Sequence, residues 1–184
     1  MSSDGSDVGA VENVKGNFIK PLPPGYAFEE GAKCIGSYAS EQRDSVFWFV
    51  YSPNGQHGIY ERFHESGVIR VVLINSILNF SKDHLINHIN DIEGLLYWTD
   101  NYNPPRKINI EKATKHMLGD PEGYSSLLES GTDLEREQFI SAMKAQPVQR
   151  PTFRFLTDDT VRTNNVRDGR YFKFKYRYVY DDNE

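Results

Sequence analysis

The amino-acid sequence predicts a mainly β protein made of antiparallel strands, with a short helical segment inserted between them. Aromatic residues make up 13% of the 184 residues, with 11 Tyr and 11 Phe, and such a content favours broad sheet surfaces. Apolar and polar residues alternate with a period of two over most of residues 33–74. Turn motifs rich in Asn, Gly and Ser separate these alternating runs, which is typical of antiparallel sheets.

Composition and charge exclude several classes of function. The net charge of -5 and the pI near 5.6 argue against a general binder of nucleic acid or of membrane surfaces, because such binders usually carry excess positive charge. Cys34 is the single cysteine, which excludes an intrachain disulfide and a cysteine-based zinc site. No apolar run approaches the roughly 18 residues that a membrane helix needs.

The N-terminal region is predicted to be an arm. Residues 1–12 are small and acidic, which is typical of disordered segments. The stretch "KPLPPG" at 20–25 is stiff and extended, because each proline fixes its own φ and restricts the preceding residue. We therefore predict a flexible arm over 1–31 that leads into a domain or lies along a neighbour.

Four strand candidates follow, at 33–39, 45–52, 57–63 and 68–74. The second, "SVFWFVYS", is almost continuously apolar, as expected of a strand that is covered on both faces. The Asn-Gly pair that follows it is a strong signal for a β-hairpin. Four strands with three short connections form one antiparallel meander, which has the size of a β-propeller blade.

A second unit lies about 48 residues further along the chain. The stretch "LLYWTDNYNPPRKINIEKA" at 95–113 aligns with "FWFVYSPNGQHGIYERF", which begins at Phe47. Both contain an aromatic strand, a polar turn, and a strand in which apolar residues alternate with basic or polar ones. Because this period lies in the range of propeller repeats, we predict a partial β-propeller of antiparallel four-stranded blade units over 32–109.

Three short helices are predicted to interrupt the β pattern. Apolar residues recur at helical spacing from residue 110, and Gly119 is placed to end the first helix. The Asp-Pro pair at 120–121 supplies an N-cap and a first-turn proline for a second helix. Thr132 and Glu135 have the spacing of a capping box for a third. Residues 110–148 are therefore predicted to be a helical insertion.

The last segment, 149–184, returns to strand patterns. In "GRYFKFKYRYVYDDNE" the aromatic residues share one face of a predicted strand. Little sequence follows to pair or cover this strand, so we predict the truncated start of a second β-domain and an N-terminal fragment of a longer protein. An alternative is nucleic-acid binding through stacked bases and phosphate contacts, but strictly alternating aromatics are typical of a sheet's core face. The basic side chains on the other face form a predicted interaction surface: Arg170, Lys173, Lys175 and Arg177.

The sequence offers weak candidates for metal binding or catalysis. His84 and His88 would lie on one face of a helix, where they could share a metal ion. In a strand over 84–92 the two side chains would be roughly 13 Å apart, and a third ligand is not evident. Nucleophile-elbow, Walker and dinucleotide-binding motifs do not occur. We therefore predict no catalytic residue, no bound metal and no cofactor.

Several stretches together resemble a known family. They are similar to the tail muzzle, or nozzle-type, virion structural proteins of crAss-like and related Bacteroidetes-infecting short-tailed phages. That family carries Leu-Tyr-Trp-Thr-Asp followed by Asn-Pro-Pro-Arg-Lys-Ile-Asn in a β-propeller. The resemblance covers roughly residues 13–184 and departs from the family at 114–147, which is longer and more helical here. The stretches that carry it are "ENVKGN", "KCIGSY", "FVYSPNGQHGIYE", residues 95–113 and "FKFKYRYVYDD".

The resemblance implies a function in assembly. Such a protein is a component of the virion tail, is made in the cytoplasm of the bacterial host, and forms part of a ring or tube through which DNA leaves the capsid. Its implied partners are copies of itself and other tail or portal-proximal proteins, with transient contact to exiting DNA. A membrane and a small-molecule substrate are not implied. The alternatives are a glycan- or protein-binding propeller module and a fragment of a propeller glycosidase, since the Tyr-Trp-Thr-Asp tetrad also resembles extracellular receptor propellers.

The resemblance assigns structural roles to one motif. The two aromatic residues are expected to point to the two covers of a blade strand, and the aspartate to accept backbone N–H groups where the strand turns. The prolines are expected to stiffen the connection and to block stray strand pairing. Arg106 and Lys107 are then expected to face solvent or a neighbouring subunit. The motif consists of Tyr97, Trp98, Thr99, Asp100, Pro104, Pro105 and Arg106.

Overall fold

A computed structural model describes residues 20–143, 152 and 173–175 of the chain. In this part the chain forms seven strands, three short helices and a 3₁₀ turn at Ser76–Leu78. The strands are β1 (Lys33–Ser40), β2 (Ser45–Tyr51), β3 (His57–Phe63), β4 (Ile69–Asn75), β5 (Asn87–Ile92), β6 (Leu95–Thr99) and β7 (Arg106–Asn109). The helices are α1 (Ile110–Met117), α2 (Leu127–Ser130) and α3 (Asp133–Gln138).

The first sheet is an antiparallel meander in the order β1-β2-β3-β4, as the sequence predicted. The Asn-Gly signal forms the β2–β3 connection, where Gly55 has φ of 81° and its N–H donates to Ser52 O at 3.1 Å. Strand β2 is covered on both faces. Phe47 and Phe49 are fully buried in the main core, and Trp48 packs against a second apolar cluster on the opposite face.

The second sheet is antiparallel in the order β5-β6-β7, so it has three strands where a four-stranded unit was predicted. A short segment at 140–142 occupies the position beside β7. Lys107 N donates to Ile140 O at 2.8 Å, and Ala142 N donates to Pro105 O at 3.0 Å. Strand β5 begins at Asn87, and its ladder with β6 is interrupted between Asn87 and Asn90, where His88 has φ of 52°.

The two sheets meet along β1 and β5, which lie side by side in parallel orientation. At one end Ile86 N donates to Ile35 O at 2.9 Å, and at the other Ser40 Oγ donates to Asp91 Oδ2 at 2.9 Å. A Cβ atom at Gly36 would lie 2.6 Å from Ile86 Cβ, so this close approach requires glycine. The sheets share one apolar core that includes Phe47, Phe49, Ile59, Leu73, Leu96, Trp98 and Ile108.

The helical segment contributes to that same core. Helix α1 packs along β4, and Ile110 and Ala113 on α1 are fully buried together with Leu128 and Ile140 further along the chain. Gly119 caps the end of α1 as predicted, and the cap is a Schellman motif: Gly119 has φ of 71°, and Gly119 N and Asp120 N donate to the carbonyls of His116 and Lys115. Each sheet edge described above therefore has another part of the chain beside it.

The predicted second helix start is wrong. The Asp-Pro pair at 120–121 forms a turn, in which Asp120 Oδ1 accepts from Glu122 N at 2.8 Å and Asp120 O accepts from Gly123 N at 3.0 Å. The aspartate side chain satisfies the backbone locally, and this competes with helix formation. Helix α2 begins only at Leu127. The capping box between Thr132 and Glu135 is present at the start of α3.

Residues 20–32 cover the second face of the first sheet. Leu22 and Tyr26 pack against the apolar cluster on that face, and the Phe28 ring meets the Tyr60 ring edge-on at 5.3 Å. Asn54 Nδ2 donates to Glu29 Oε1 at 2.9 Å, which ties the segment to the β2–β3 turn. Residues 1–19 of the predicted arm lie outside the described residues. Overall, the mainly β prediction is confirmed, and the two sheets do not close into a ring within the described part of the chain.

Candidate functional site

The aromatic motif places its tryptophan in the centre of the core. Trp98 is 1% exposed, and its ring centroid lies 5.6 Å from that of Phe49 and 6.4 Å from that of Phe80. Tyr97 points to the other side of β6 and is half-buried. Thr99 Oγ1 donates to Asn87 O at 3.1 Å, which links β6 to the first residue of β5. The predicted burial of Trp98 is confirmed.

Asp100 holds the turn that follows β6. It is 3% exposed, and its Oδ1 accepts from Tyr102 N at 2.9 Å and from Asn103 N at 2.7 Å. Its Oδ2 accepts from Asn103 Nδ2 at 2.6 Å. Asn103 also exchanges two hydrogen bonds with Asn79, at 2.8 and 3.0 Å. Both carboxylate oxygens are thus engaged in the turn, as the motif predicted.

The predicted exposure of Arg106 and Lys107 is wrong. Arg106 is 3% exposed and Lys107 is 2% exposed. The reason is the path of the chain after α3, which runs back beside β7 and covers it. Arg106 Nη2 lies 3.3 Å from Glu137 Oε1, so its charge is compensated by this helix. Pro104 and Pro105 lie in the connection as expected, and the Pro105 carbonyl is bonded by the returning segment.

The predicted basic interaction surface is described only in part. Arg170 and Arg177, and most of the aromatic residues between 172 and 180, lie outside the described residues. Lys173 and Lys175 are exposed, and Phe174 between them is 60% exposed. No strand is formed at these three residues, which differs from the strand predicted there.

A buried ion-pair cluster was missed in the sequence. Glu61 is fully buried, and its carboxylate accepts from Ser45 Oγ at 2.7 Å, from Arg43 Nε at 3.0 Å and from Arg70 Nε at 2.6 Å. Two guanidinium groups compensate the cost of burying this charge. The period of two could have indicated the burial of Glu61, because this residue lies two positions after the core residue Ile59. It also lies directly opposite Arg70 on β4. The cluster joins the β1–β2 turn and the start of β2 to β3 and β4.

Two pockets lie on the first sheet. One, of about 80 Å³, lies beneath residues 27–32 and is walled by Val50, Gly58, Tyr60 and Ile74 of the sheet. The other, of about 180 Å³, lies at the turn end of the sheet. Both are smaller than the roughly 300 Å³ at which typical small-molecule sites begin. Arg43, Asp44, Phe63, Glu65 and Ser66 line the second pocket.

The perturbed titratable groups of the sheet are explained by burial. Burial lowers the pKa of His57, whose Nδ1 accepts from Ser52 N at 3.1 Å and whose ring stacks on Tyr51. Burial, together with the nearby Tyr26, raises the pKa of Tyr60. Within residues 20–143, 152 and 173–175, no three His, Cys, Asp or Glu side chains are grouped so that they could hold a metal ion. His84 instead stacks on Tyr102, with ring centroids 4.8 Å apart.

The motif residues that the sequence singled out at 97–106 thus serve the architecture of the fold. The residues at 97–106 form a strand, a turn and a covered edge; Asp100 accepts hydrogen bonds within its turn, and Arg106 pairs with Glu137 on α3. In the described part of the chain, no helix is both long and apolar enough to cross a membrane. Comparisons with models of protein families, with curated proteins and with solved structures returned no match.

Proposed function

We propose that the chain is a structural component of a phage virion tail, of the muzzle or nozzle type, and that it acts by assembly without catalysis. The observation that carries the proposal is that the motif at 97–106 is built into the fold of the chain. The tetrad and the Pro-Pro-Arg continuation, which carry the resemblance, build β6, its turn and the start of β7. Their engagement in the fold supports a scaffold function over a ligand site.

We further propose that the two sheets are units of a partial β-propeller with a Tyr-Trp-Thr-Asp motif. The first sheet has four antiparallel strands in sequential order, which is the pattern of a blade. The second has three strands, and residues 140–142 bond to the free edge of β7 in the fourth position. On this proposal, the helical segment is inserted between the third and fourth positions of the second blade.

The proposed partners are copies of the same chain and neighbouring tail or portal-proximal proteins, and the proposed location is the virion tail. The net charge of -5 supports a wall along which DNA passes, because like charge discourages the phosphate backbone from adhering. The exposed Lys173 and Lys175 offer opposite charges for contacts between subunits.

Mass photometry and negative-stain electron microscopy of the purified 184-residue chain test this proposal. We expect assemblies of a uniform copy number with a ring or tube shape. A Lys173→Glu, Lys175→Glu double variant is the matched probe of the basic surface, and we expect it to assemble less. A chain that stays monomeric and releases sugars from host glycans would contradict the proposal in favour of a glycosidase. A monomer that binds glycans without cleaving them would favour a binding module.

A further inference from the structure

His116 lies in the last turn of α1, where the helical segment meets the first sheet. Its side chain is 13% exposed. One ring nitrogen, Nδ1, lies 3.0 Å from the carbonyl oxygen of Tyr124, in the connection to α2. The other, Nε2, lies 3.1 Å from Glu129 Oε1 on α2. Both nitrogens of one imidazole therefore face oxygen atoms.

Both oxygens act as acceptors. A backbone carbonyl can only accept. Glu129 Oε1 also accepts from Asn75 Nδ2 at 2.9 Å, and the orientation of that amide is fixed by its other end. Asn75 Oδ1 accepts from the Ile77 backbone N–H at 2.9 Å and from Arg136 Nη2 at 3.0 Å, and these two groups can only donate. The Glu129 oxygen therefore lies between two donors, one of which is the histidine ring.

A neutral imidazole donates from one nitrogen and accepts at the other, whereas an imidazolium donates from both. We propose that His116 is a protonation-dependent latch: with a proton on each nitrogen it binds Tyr124 and Glu129 together. When one proton is lost, a nitrogen lone pair faces an oxygen, and one of the two bonds is replaced by repulsion. This inference is independent of the proposed function.

The latch acts on the junction between the helices and the first sheet. Asn75 is the last residue of β4, and it connects the Glu129 carboxylate to the guanidinium of Arg136 on α3. Arg136 Nε also donates to Leu128 O at 2.9 Å. One network therefore joins α1, α2 and α3 to the end of β4. The charged groups near the latch are Glu129 on α2, Arg136 on α3, and Lys115 on α1, which is paired with Glu111 and Glu122.

The sign of the pH effect follows from the bonds. The folded chain gains a hydrogen bond when His116 is protonated, so the latch stabilises the fold in acid and loses this contribution as the pH rises. The buried His57 acts in the opposite direction, since its Nδ1 must stay unprotonated to accept from Ser52 N. Because His57 is present in both the parent chain and a His116 variant, comparing their stabilities at the same pH cancels the contribution of His57.

Urea denaturation of the parent chain and of His116→Gln at about pH 5.5 and about pH 8 tests the latch. Glutamine retains a donor for one of the two acceptors. We expect the folding equilibrium constant of the variant to be about fivefold below the parent in acid and within about twofold of it at the higher pH. His88→Gln, at an exposed histidine on β5, is the matched control and should show the same ratio to the parent at both pH values.

A Glu129 variant and the protonation state of the His116 ring give two further tests of the latch. Glu129→Gln should remove most of the pH dependence that His116 confers, because it removes the charged acceptor. In ¹⁵N spectra of the His116 ring, we expect both nitrogens of the folded chain to be protonated in acid. An equal loss in His116→Gln at both pH values, or a ring with one unprotonated nitrogen in acid, would overturn the proposal.

Discussion

Replacing Trp98 by alanine removes the largest fully buried side chain of the described residues. The indole lies between the two sheets, against Phe49 and Phe80, so its loss leaves a cavity that neither sheet can fill without moving. The other tryptophan, Trp48, is half-buried on the opposite face of the first sheet and gives a comparison of the same residue type at the edge of the core.

The expected magnitude follows from burial and from one unmade hydrogen bond. Deleting a core aromatic side chain costs about 3–5 kcal/mol. The Trp98 indole N–H is buried without a hydrogen-bond partner among the described residues, and such a group already costs the native state about 1–3 kcal/mol. We therefore expect Trp98→Ala to lower the free energy of unfolding by about 3 kcal/mol, the lower end of this range. Trp98→Phe, which removes the unbonded N–H and keeps a ring, should cost about 1 kcal/mol.

Urea denaturation followed by far-ultraviolet circular dichroism measures both values, and Trp48 fluorescence gives a second probe in the two Trp98 variants. We expect the midpoint of Trp98→Ala to fall well below that of the parent, and that of Trp48→Ala to fall less. If Trp98→Ala unfolds at the same midpoint as the parent, the motif is peripheral to the core and the packing argument is refuted.

Three further predictions concern backbone approach, turn formation and pH. Gly36→Ala should destabilise the fold by about 1–3 kcal/mol, because its Cβ would lie 2.6 Å from Ile86 Cβ, and this can be measured by urea denaturation. Asp100→Ala should cost about 2 kcal/mol, because two backbone N–H groups lose their acceptor, and the same assay measures it. Because burial lowers the pKa of His57 from the ordinary 6.5, stability should be full above that pH and decline below it, as the ring protonates and loses the Ser52 bond. Thermal melts across pH measure this decline, which His57→Gln should reduce.

Each of these predictions has a control and a contradicting outcome. Ser37→Ala, at an exposed neighbour of Gly36 on β1, should be neutral; equal effects at both positions would show that the approach of β1 and β5 is not tight. Asp100→Asn keeps one acceptor oxygen and should lose less than Asp100→Ala. A pH profile of His57→Gln identical to that of the parent would show that another group causes the acid decline.

The local elements of the fold could be predicted because their signals are local. The period of two predicted β1 to β4, and the Asn-Gly pair predicted the hairpin between β2 and β3. The spacing of Thr132 and Glu135 predicted the start of α3. Trp98 was placed in the core because a large aromatic residue in a short strand has few other stable positions.

The features that could not be predicted depend on contacts between distant parts of the chain. Arg106 is buried because Glu137 and the segment after it return to β7, and a strand pattern contains no information about such a return. The Asp-Pro pair at 120–121 satisfied the rules for a helix start, yet the aspartate closed a local turn instead. Glu61 was missed because its two arginine partners come from a turn and from a neighbouring strand.

The most direct test of the proposed virion function is a cryo-electron microscopy map of the tail of the phage that is proposed to contain this chain. We expect density at the tail tube or nozzle, in several symmetry-related copies, into which both sheets and α1 to α3 fit as one body. A well-resolved tail map without such density, together with particles that lack the chain by mass spectrometry, would contradict the proposal that it is a virion component.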